Sequence, residues 1–463
     1  MSLLNSLKGG GRHGVPSGES RDPIGYLVAG LNKVAQSELL DRLGLRRQTE
    51  QAVFTTTSNG FKVMAAAGRQ FAKAGKKGRP GVRVPGAGSS GQFDLTPTED
   101  EQMLVDVVDD FATELLRPAA AAADDSCGAP PELLSASLEI GLPILGVPEA
   151  LGGIAETRSA VAGTLVAEAL ARGDMGLAVS VLAPGAVATA IGLWGTDEQQ
   201  KTYLPAFTEP SDGGVPAASL ALGERAVLFD VLRPSTTAVR EGSGGYVLNG
   251  TKSLVARGAE AELFVVGASL EGRPVLFIVE SRTPGLTIEG DPAMGVRAGG
   301  MTTLTLTDVR LRPDALLGHG SPQSTDGSTY TECVRFSRLA WCALAVGTAQ
   351  AVLDYVTPYV KERQAFGEPI AHRQAVAFMV ADMAIELQAM RLVTYKAASL
   401  VARGQDAARE IALARRLCAD KGMKIGLDGV QLLGGHGFVK EHPVERWYRD
   451  LRAVGIMEGA VLV

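Results

Sequence analysis

Histidine, cysteine and aromatic side chains are scarce in this chain, and each scarcity closes off a class of function. Only five histidines occur in 463 residues, none as an H-x3-H pair, and His436 and His442 stand six apart. That spacing argues against a metal centre built on imidazoles, so no metal is expected. The four cysteines, Cys127, Cys333, Cys342 and Cys418, are far apart and form no C-x2-C. They read as buried thiols of a reducing, cytoplasmic setting rather than a disulfide framework or zinc site. A basic excess is missing too: 45 Lys and Arg face 51 Asp and Glu, a net charge of −6, which argues against nucleic acid as the main partner. No apolar core of a secretory signal stands at the N-terminus. The one long uncharged run, Met175 to Trp194, has the length to cross a bilayer, but Pro184-Gly185 interrupts it. Two short buried helices are expected there, and no transmembrane segment.

What is abundant is alanine and glycine. Apolar residues make up 46% of the chain and aromatics 5%, a mixture suited to closely packed helices. The length allows two to four folding units. Residues 1–95 form an extension, helical in pattern from Pro23 to about Ala74 and ending in a basic, glycine-rich linker, Lys73 to Arg83 and on to Gly91. Residues 96–217 read as a helical domain opened by Thr98 ahead of Glu99 to Glu101, with Gly195-Thr196-Asp197-Glu198 turning into a further helix. Residues 218–325 change character. Tyr246-Val-Leu-Asn249-Gly250 predicts a strand ending in a hairpin turn, and Leu263–Val266, Val275–Val279 and Leu304–Val309 continue as short strands of an antiparallel sheet or small barrel. Residues 326–463 return to helix. Leu339, Cys342, Val346, Leu353, Val356 and Val360 mark one apolar face, and Val376, Met379, Met383, Leu387 and Met390 another. An antiparallel, four-helix-type bundle is expected, kinked at Pro358. The fold class is therefore α+β, mainly α.

The last hundred residues carry the motifs. They hold Arg363-Gln-Ala-Phe366-Gly367, Gln374, Gln431-Leu432-Leu433-Gly434-Gly435, Pro443-Val-Glu-Arg-Trp-Tyr-Arg449-Asp450 and Glu458-Gly459. A carboxylate followed by glycine suits a general base facing a ligand, because glycine lets backbone approach a bound group.

In order and spacing these motifs resemble the acyl-CoA dehydrogenase family of flavoproteins, over roughly residues 96–463. Gly195-Thr-Asp-Glu-Gln-Gln-Lys-Thr-Tyr-Leu-Pro205 and Ser281-Arg-Thr-Pro-Gly285 add to the match. The resemblance implies an FAD-dependent enzyme that converts an acyl-CoA thioester to the 2-enoyl-CoA and passes electrons to an electron-transfer flavoprotein. It implies that Arg363 and Gln374 hold the pyrophosphate or adenine half of an FAD shared with a neighbouring subunit. Phe366 would then pack beside that cofactor, and Gln431, Leu432, Leu433, Gly434 and Gly435 would lay backbone along its adenosine. A homodimer or homotetramer follows. Glu458 would remove the α-proton, its backbone N–H polarising the thioester carbonyl, with Arg338 and Gly459 on the substrate side. Excluding water would make the carboxylate a better base. Some family members place the base on the helix beginning here at Ser337-Arg338-Leu339, where this chain has serine.

Two stretches depart from the family pattern. Ala218–Ala226 replaces the Thr-Glu-Pro-Gly stretch that touches flavin, and Leu254-Val-Ala256 replaces Trp-Ile-Thr, removing an aromatic face and a hydroxyl donor. Glu458 is followed by Ala460-Val461 in place of Thr-Ser, and Met457 precedes it in place of tyrosine. These losses motivate an alternative: a catalytically weak partner subunit of a hetero-oligomeric acyl-CoA dehydrogenase, lending Arg363, Gln374 and Gln431 to a paralogue's FAD.

Overall fold

The computed structural model describes residues 98–153, 158–208, 214, 216–226, 228–242 and 244–461. The helix and basic linker expected within 1–95 lie outside these. Helix α1 (Glu99–Phe111) starts where Thr98 and Glu101 form a reciprocal capping box, satisfying two otherwise unpaired N–H groups. A π-helical turn, Ala112–Leu116, leads into α2 (Arg117–Ser126), then α3 (Pro131–Glu139) and α4 (Ala160–Gly173).

Next comes α5 (Met175–Trp194), a single helix that runs through Pro184. The expected break does not occur. Proline at 184 cannot bond the Ser180 carbonyl, and Arg257 donates to that carbonyl instead, at 3.3 Å. Gly185 also lets Leu142 come close, since a Cβ there would meet the Leu142 carbonyl oxygen at 3.1 Å. This helix and α9, introduced below, are long and apolar enough to cross a membrane, but most of each is buried inside the protein. Thr196 and Gln199 form a second capping box, which starts α6 (Asp197–Tyr203), and the short α7 (Pro205–Thr208) follows.

Among the described residues, seven strands form one sheet: β1 (Ala218–Ala221), β2 (Thr237–Arg240), β3 (Tyr246–Val255), β4 (Leu263–Leu270), β5 (Arg273–Glu280), β6 (Leu286–Gly290) and β7 (Thr302–Leu311). The order is β1-β4-β2-β3-β7-β6, with β5 paired to β4. The sheet is mixed rather than purely antiparallel, because β4 runs parallel to both β1 and β2. Strands joined directly, such as β2–β3 and β4–β5, are antiparallel as hairpins require.

Asn249-Gly250 is not a hairpin turn. It lies inside β3, at a register shift against β7. Gly250 has φ 154°, and a Cβ there would stand 2.6 Å from the Thr236 hydroxyl. Close backbone approach, not a chain reversal, is why glycine sits there. Asn249 is engaged sideways with Asp308, donating at 3.2 Å and accepting the Asp308 N–H at 2.8 Å.

After the four-residue α8 (Gln323–Asp326), α9 (Ser328–Glu362) forms the axis of the C-terminal part and continues without interruption through Pro358. A two-residue hairpin pairs β8 (Gln364–Ala365) with β9 (Glu368–Pro369), followed by α10 (Gln374–Ala402), α11 (Ala408–Leu433) and α12 (Val444–Leu451). One core unites both helical regions: Leu170, Leu177, Val346, Leu387, Ile425 and Trp447 belong to the same buried cluster. At its tightest point α9 meets α4, where a Cβ on Gly347 would lie 2.0 Å from the Glu168 carbonyl oxygen. Gly347→Ala is therefore expected to force the two helices apart and cost about 3 kcal/mol, read as a lowered denaturation midpoint at unchanged m-value.

The segment Pro443 to Asp450 ties the parts together. Arg446 donates to Asp174 at 2.9 Å, Arg449 holds Asp124 through two bonds of 2.9 Å, and Asp450 accepts the Val296 N–H at 2.6 Å. Burial, reinforced by Asp174, pushes the Asp450 carboxyl up to about 8. One cysteine differs from expectation. Cys127, which caps α2 in a left-handed conformation, is exposed, while Cys333, Cys342 and Cys418 are buried thiols.

Candidate active site

Glu458 sits at the meeting point of sheet, α9 and α11. It adopts φ 57°, unusual for a residue with a Cβ, and is 9% exposed. Its Oε1 accepts from the Ser337 hydroxyl at 2.8 Å and from the Trp341 indole N–H at 3.3 Å. Ser337 and Trp341 are one helical turn apart on α9, so one face of that helix supplies both donors. Serine on α9 thus supports the glutamate that the resemblance names as the base. No hydrogen bond reaches Oε2 or the Glu458 backbone N–H among the described residues.

Beside the carboxylate lies a cavity of about 290 Å³. Its walls are mostly apolar: Val179 and Leu182 from α5, Leu254 and Ala256 at the end of β3, Leu344 from α9, and Met457. The hydroxyls on its wall are committed elsewhere. Ser219 donates to the Ala256 carbonyl, Ser253 donates to Asp291 at 2.6 Å, and Ser337 donates to Glu458. Apolar walls with few polar groups match the general character of small-ligand sites.

Under this cavity lies an ion pair that sequence reasoning missed. Glu224 lines the cavity, and its Oε1 accepts from Lys252 Nζ at 2.7 Å; both side chains are almost fully buried. Glu224 also accepts the N–H of Ser235 at 2.8 Å and of Thr236 at 2.9 Å, together with both hydroxyls. Burial alone would raise this carboxyl, but Lys252 and the hydroxyls of Ser235 and Thr236 outweigh it and bring Glu224 to about 2. The available signal was a lysine inside a strand, and its partner Glu224 lies 28 residues away in sequence.

The proposed substrate-side residues lie elsewhere than at the cavity wall. Arg338 turns to the backbone, donating from Nε at 3.1 Å and Nη2 at 2.8 Å to the Glu458 carbonyl. Gly459, at φ 91°, packs against Phe229 and Val231 of the loop after β1.

A second group of sequence-selected residues gathers at the surface of the helical part. Arg363 caps α9, and Phe366-Gly367 form the tip of the β8–β9 hairpin with φ 58° and 86°. Both positive values belong to a tight two-residue turn. Phe366 is 95% exposed, with the Arg373 guanidinium 5.5 Å from its ring centre. Gln374 opens α10, and Gln431 lies near the end of α11. Arg363, Gln374 and Gln431 are exposed, and none makes a side-chain hydrogen bond or ion pair among the described residues. Leu432 and Leu433 point into the helical core, while a Cβ on Gly434 or Gly435 would meet nothing within 4 Å. An unpaired guanidinium, two unpaired amides and bare backbone fit the adenine half of a dinucleotide. At the cavity, Leu254 and Ala256 offer apolar surface to a flat ring but no free hydroxyl.

Just beyond, His436, Glu441 and His442 each bring a ligand-type atom within 4.8 Å of the others, and the Tyr355 hydroxyl meets His442 Nδ1 at 2.6 Å. Helical spacing could not foresee this, because the turn after α11 folds the chain back.

Family models for the acyl-CoA dehydrogenase N-terminal, middle and C-terminal domains match residues 98–210, 219–309 and 327–461. An acyl-CoA dehydrogenase of Bacillus subtilis is 31% identical over 370 residues, covering 78% of this chain and 95% of the relative. The short-chain specific acyl-CoA dehydrogenase of Bos taurus mitochondria is 33% identical over 374 residues, covering 78% and 87%. Butyryl-CoA dehydrogenase from Megasphaera elsdenii superimposes with a TM-score of 0.73 at 28% identity, covering 80% of this chain and 97% of that one. The chain belongs to the acyl-CoA dehydrogenase family. It is an oxidoreductase of CH–CH bonds in acyl-CoA thioesters, and FAD is its cofactor. The alternative of a non-catalytic partner subunit finds no support in these relatives.

Proposed function

We propose that the protein dehydrogenates a short acyl-CoA between Cα and Cβ, with Glu458 as the base. The observation that carries this reading is the Glu458 carboxylate, buried against a cavity of about 290 Å³ and fixed through one oxygen only. Ser337 and Trp341 hold Oε1, which leaves Oε2 with unused lone pairs to take the α-proton. The unpaired Glu458 N–H is available to the thioester oxygen as negative charge develops there. Bound FAD supplies the acceptor for the β-hydride. The apolar walls exclude water and hold the acyl chain beside the carboxylate. A short chain is favoured by the small cavity, lined in part by Trp341, and by likeness to relatives named short-chain and isobutyryl-CoA dehydrogenases.

The exposed Arg363, Phe366, Gln374, Gln431, Gly434 and Gly435, with the backbone of the buried Leu432 and Leu433, would hold the adenine half of FAD bound across a subunit boundary, as a homodimer or homotetramer allows. A phenylalanine held at positive φ on a hairpin tip, almost wholly exposed, supports a role beyond its own subunit. An electron-transfer flavoprotein would accept the electrons in the cytoplasm, where free thiols persist. A solved structure described as the electron transferring flavoprotein of Acidaminococcus fermentans resembles this chain at 30% identity and a TM-score of 0.72.

The test is anaerobic titration of the purified protein. A flavin absorption band that bleaches with butyryl-CoA, and at least tenfold more slowly with palmitoyl-CoA, is expected. A colourless protein, or one reduced equally by both, overturns the reading.

A further inference from the structure

The backbone around Glu458 is held in an unusual way. Residues 457–459 belong to no helix or strand, and Glu458 and Gly459 both have positive φ, 57° and 91°. Their carbonyls therefore find no partner in a backbone ladder, and two arginines supply one. Arg338, from α9, donates twice to the middle carbonyl, that of Glu458. Arg415, from α11, donates through Nη2 to the carbonyls on either side, those of Met457 and Gly459. Two guanidiniums thus grip three consecutive carbonyls from two different helices.

Arg415 holds this position at a cost. It is 3% exposed, and its Nε and Nη1 have no hydrogen-bond partner. Burial, followed by repulsion from Arg338, lowers it to about 10. No carboxylate forms a salt bridge with it among the described residues, so its contacts are made to main chain. A buried cation without a bonded counter-ion is unfavourable unless its geometry does something else. Both bonds leave from the single nitrogen Nη2, and the guanidinium carries that nitrogen further from its helix than the shorter lysine side chain would carry an ammonium.

We propose that Arg415 is a positioning residue for the reaction. It fixes the strained 457–459 backbone so that the Glu458 carboxylate points into the cavity while its N–H stays unpaired. This rests on the reading of Glu458 as base. Arg415 does not itself line the cavity or bond the carboxylate; it acts through the main chain of Met457 and Gly459. Misplacing a base by a fraction of an ångström lowers the rate of proton transfer more than it weakens substrate binding.

The experiment compares Arg415→Met and Arg415→Lys with the wild-type holoenzyme, using butyryl-CoA as substrate. Arg415→Met is expected to keep its flavin spectrum, lower kcat about tenfold or more, and change KM less than about threefold. Amide hydrogen exchange should accelerate across 456–461. Arg415→Lys, which keeps the charge on a shorter side chain and can reach the carbonyls only by shifting the segment, should give an intermediate kcat. A wild-type kcat in either variant overturns the proposal, as does a fall in kcat without faster exchange at 456–461. If the Met variant does not fold, the Lys variant decides alone by the same two readouts. Glu458→Gln, measured alongside, separates the two claims. If it stays active the base assignment fails, whereas accelerated exchange in the Arg415 variants still reports the grip on this segment.

Discussion

Glu458→Gln should keep the flavin spectrum and slow its bleaching by butyryl-CoA by roughly 10²–10⁴-fold, the usual contribution of a positioned general base. The substitution is nearly isosteric. Ser337 and Trp341 can still donate to the amide oxygen, so the side chain keeps its place. What is lost is the second oxygen, which becomes an NH2 group unable to accept a proton. Binding should change little, because the backbone N–H proposed to meet the thioester is unaltered. Stopped-flow bleaching under anaerobic conditions gives the rate directly, and bleaching within threefold of wild type would remove Glu458 from the mechanism.

The second large effect concerns stability. Glu224→Ala leaves Lys252 buried with the Leu222 carbonyl, at 3.4 Å, as its remaining partner. Breaking one side of a buried pair typically costs about 3–5 kcal/mol, because an uncompensated charge is left behind. It also frees the N–H groups of Ser235 and Thr236. A fall in Tm of about 3–6 °C is expected, and the double variant Glu224→Gln with Lys252→Met should recover most of it. A single variant within 2 °C of wild type refutes the assignment. The pair also predicts a pH dependence. The folded-state value of Glu224, about 2, lies below its unfolded value near 4.5. Its contribution is therefore complete above the unfolded value and lost as pH falls from about 4.5 towards 2. The acid-side loss should be smaller in Glu224→Gln than in wild type, measured by denaturant titration across that range.

Local signals in the sequence suffice where a few neighbouring residues decide the structure. Thr98 with Glu101, and Thr196 with Gln199, close their capping boxes within one turn, so helix starts are visible in a four-residue window. The apolar faces of α9 and α10 likewise follow from helical period, and Leu339, Val346, Met383 and Leu387 are buried as expected. Such signals fail where a distant partner alters a local rule. Asn249-Gly250 reads as a hairpin turn until Thr236 is placed against Gly250. Pro184 reads as a helix break until Arg257 reaches the carbonyl it leaves open.

The linear order of amino acids determined the family, the order of helical and sheet parts, and Glu458 as the candidate base, because motif spacing and apolar period are properties of the chain itself. Tertiary structure alone decided how that carboxylate is held. Ser337 and Trp341 lie about 120 residues from it, Arg415 more than 40, and Glu224 meets Lys252 across 28. Hydrogen bonds and charges act over a few ångströms in space, and no rule of sequence spacing records which distant residues folding will bring within that range.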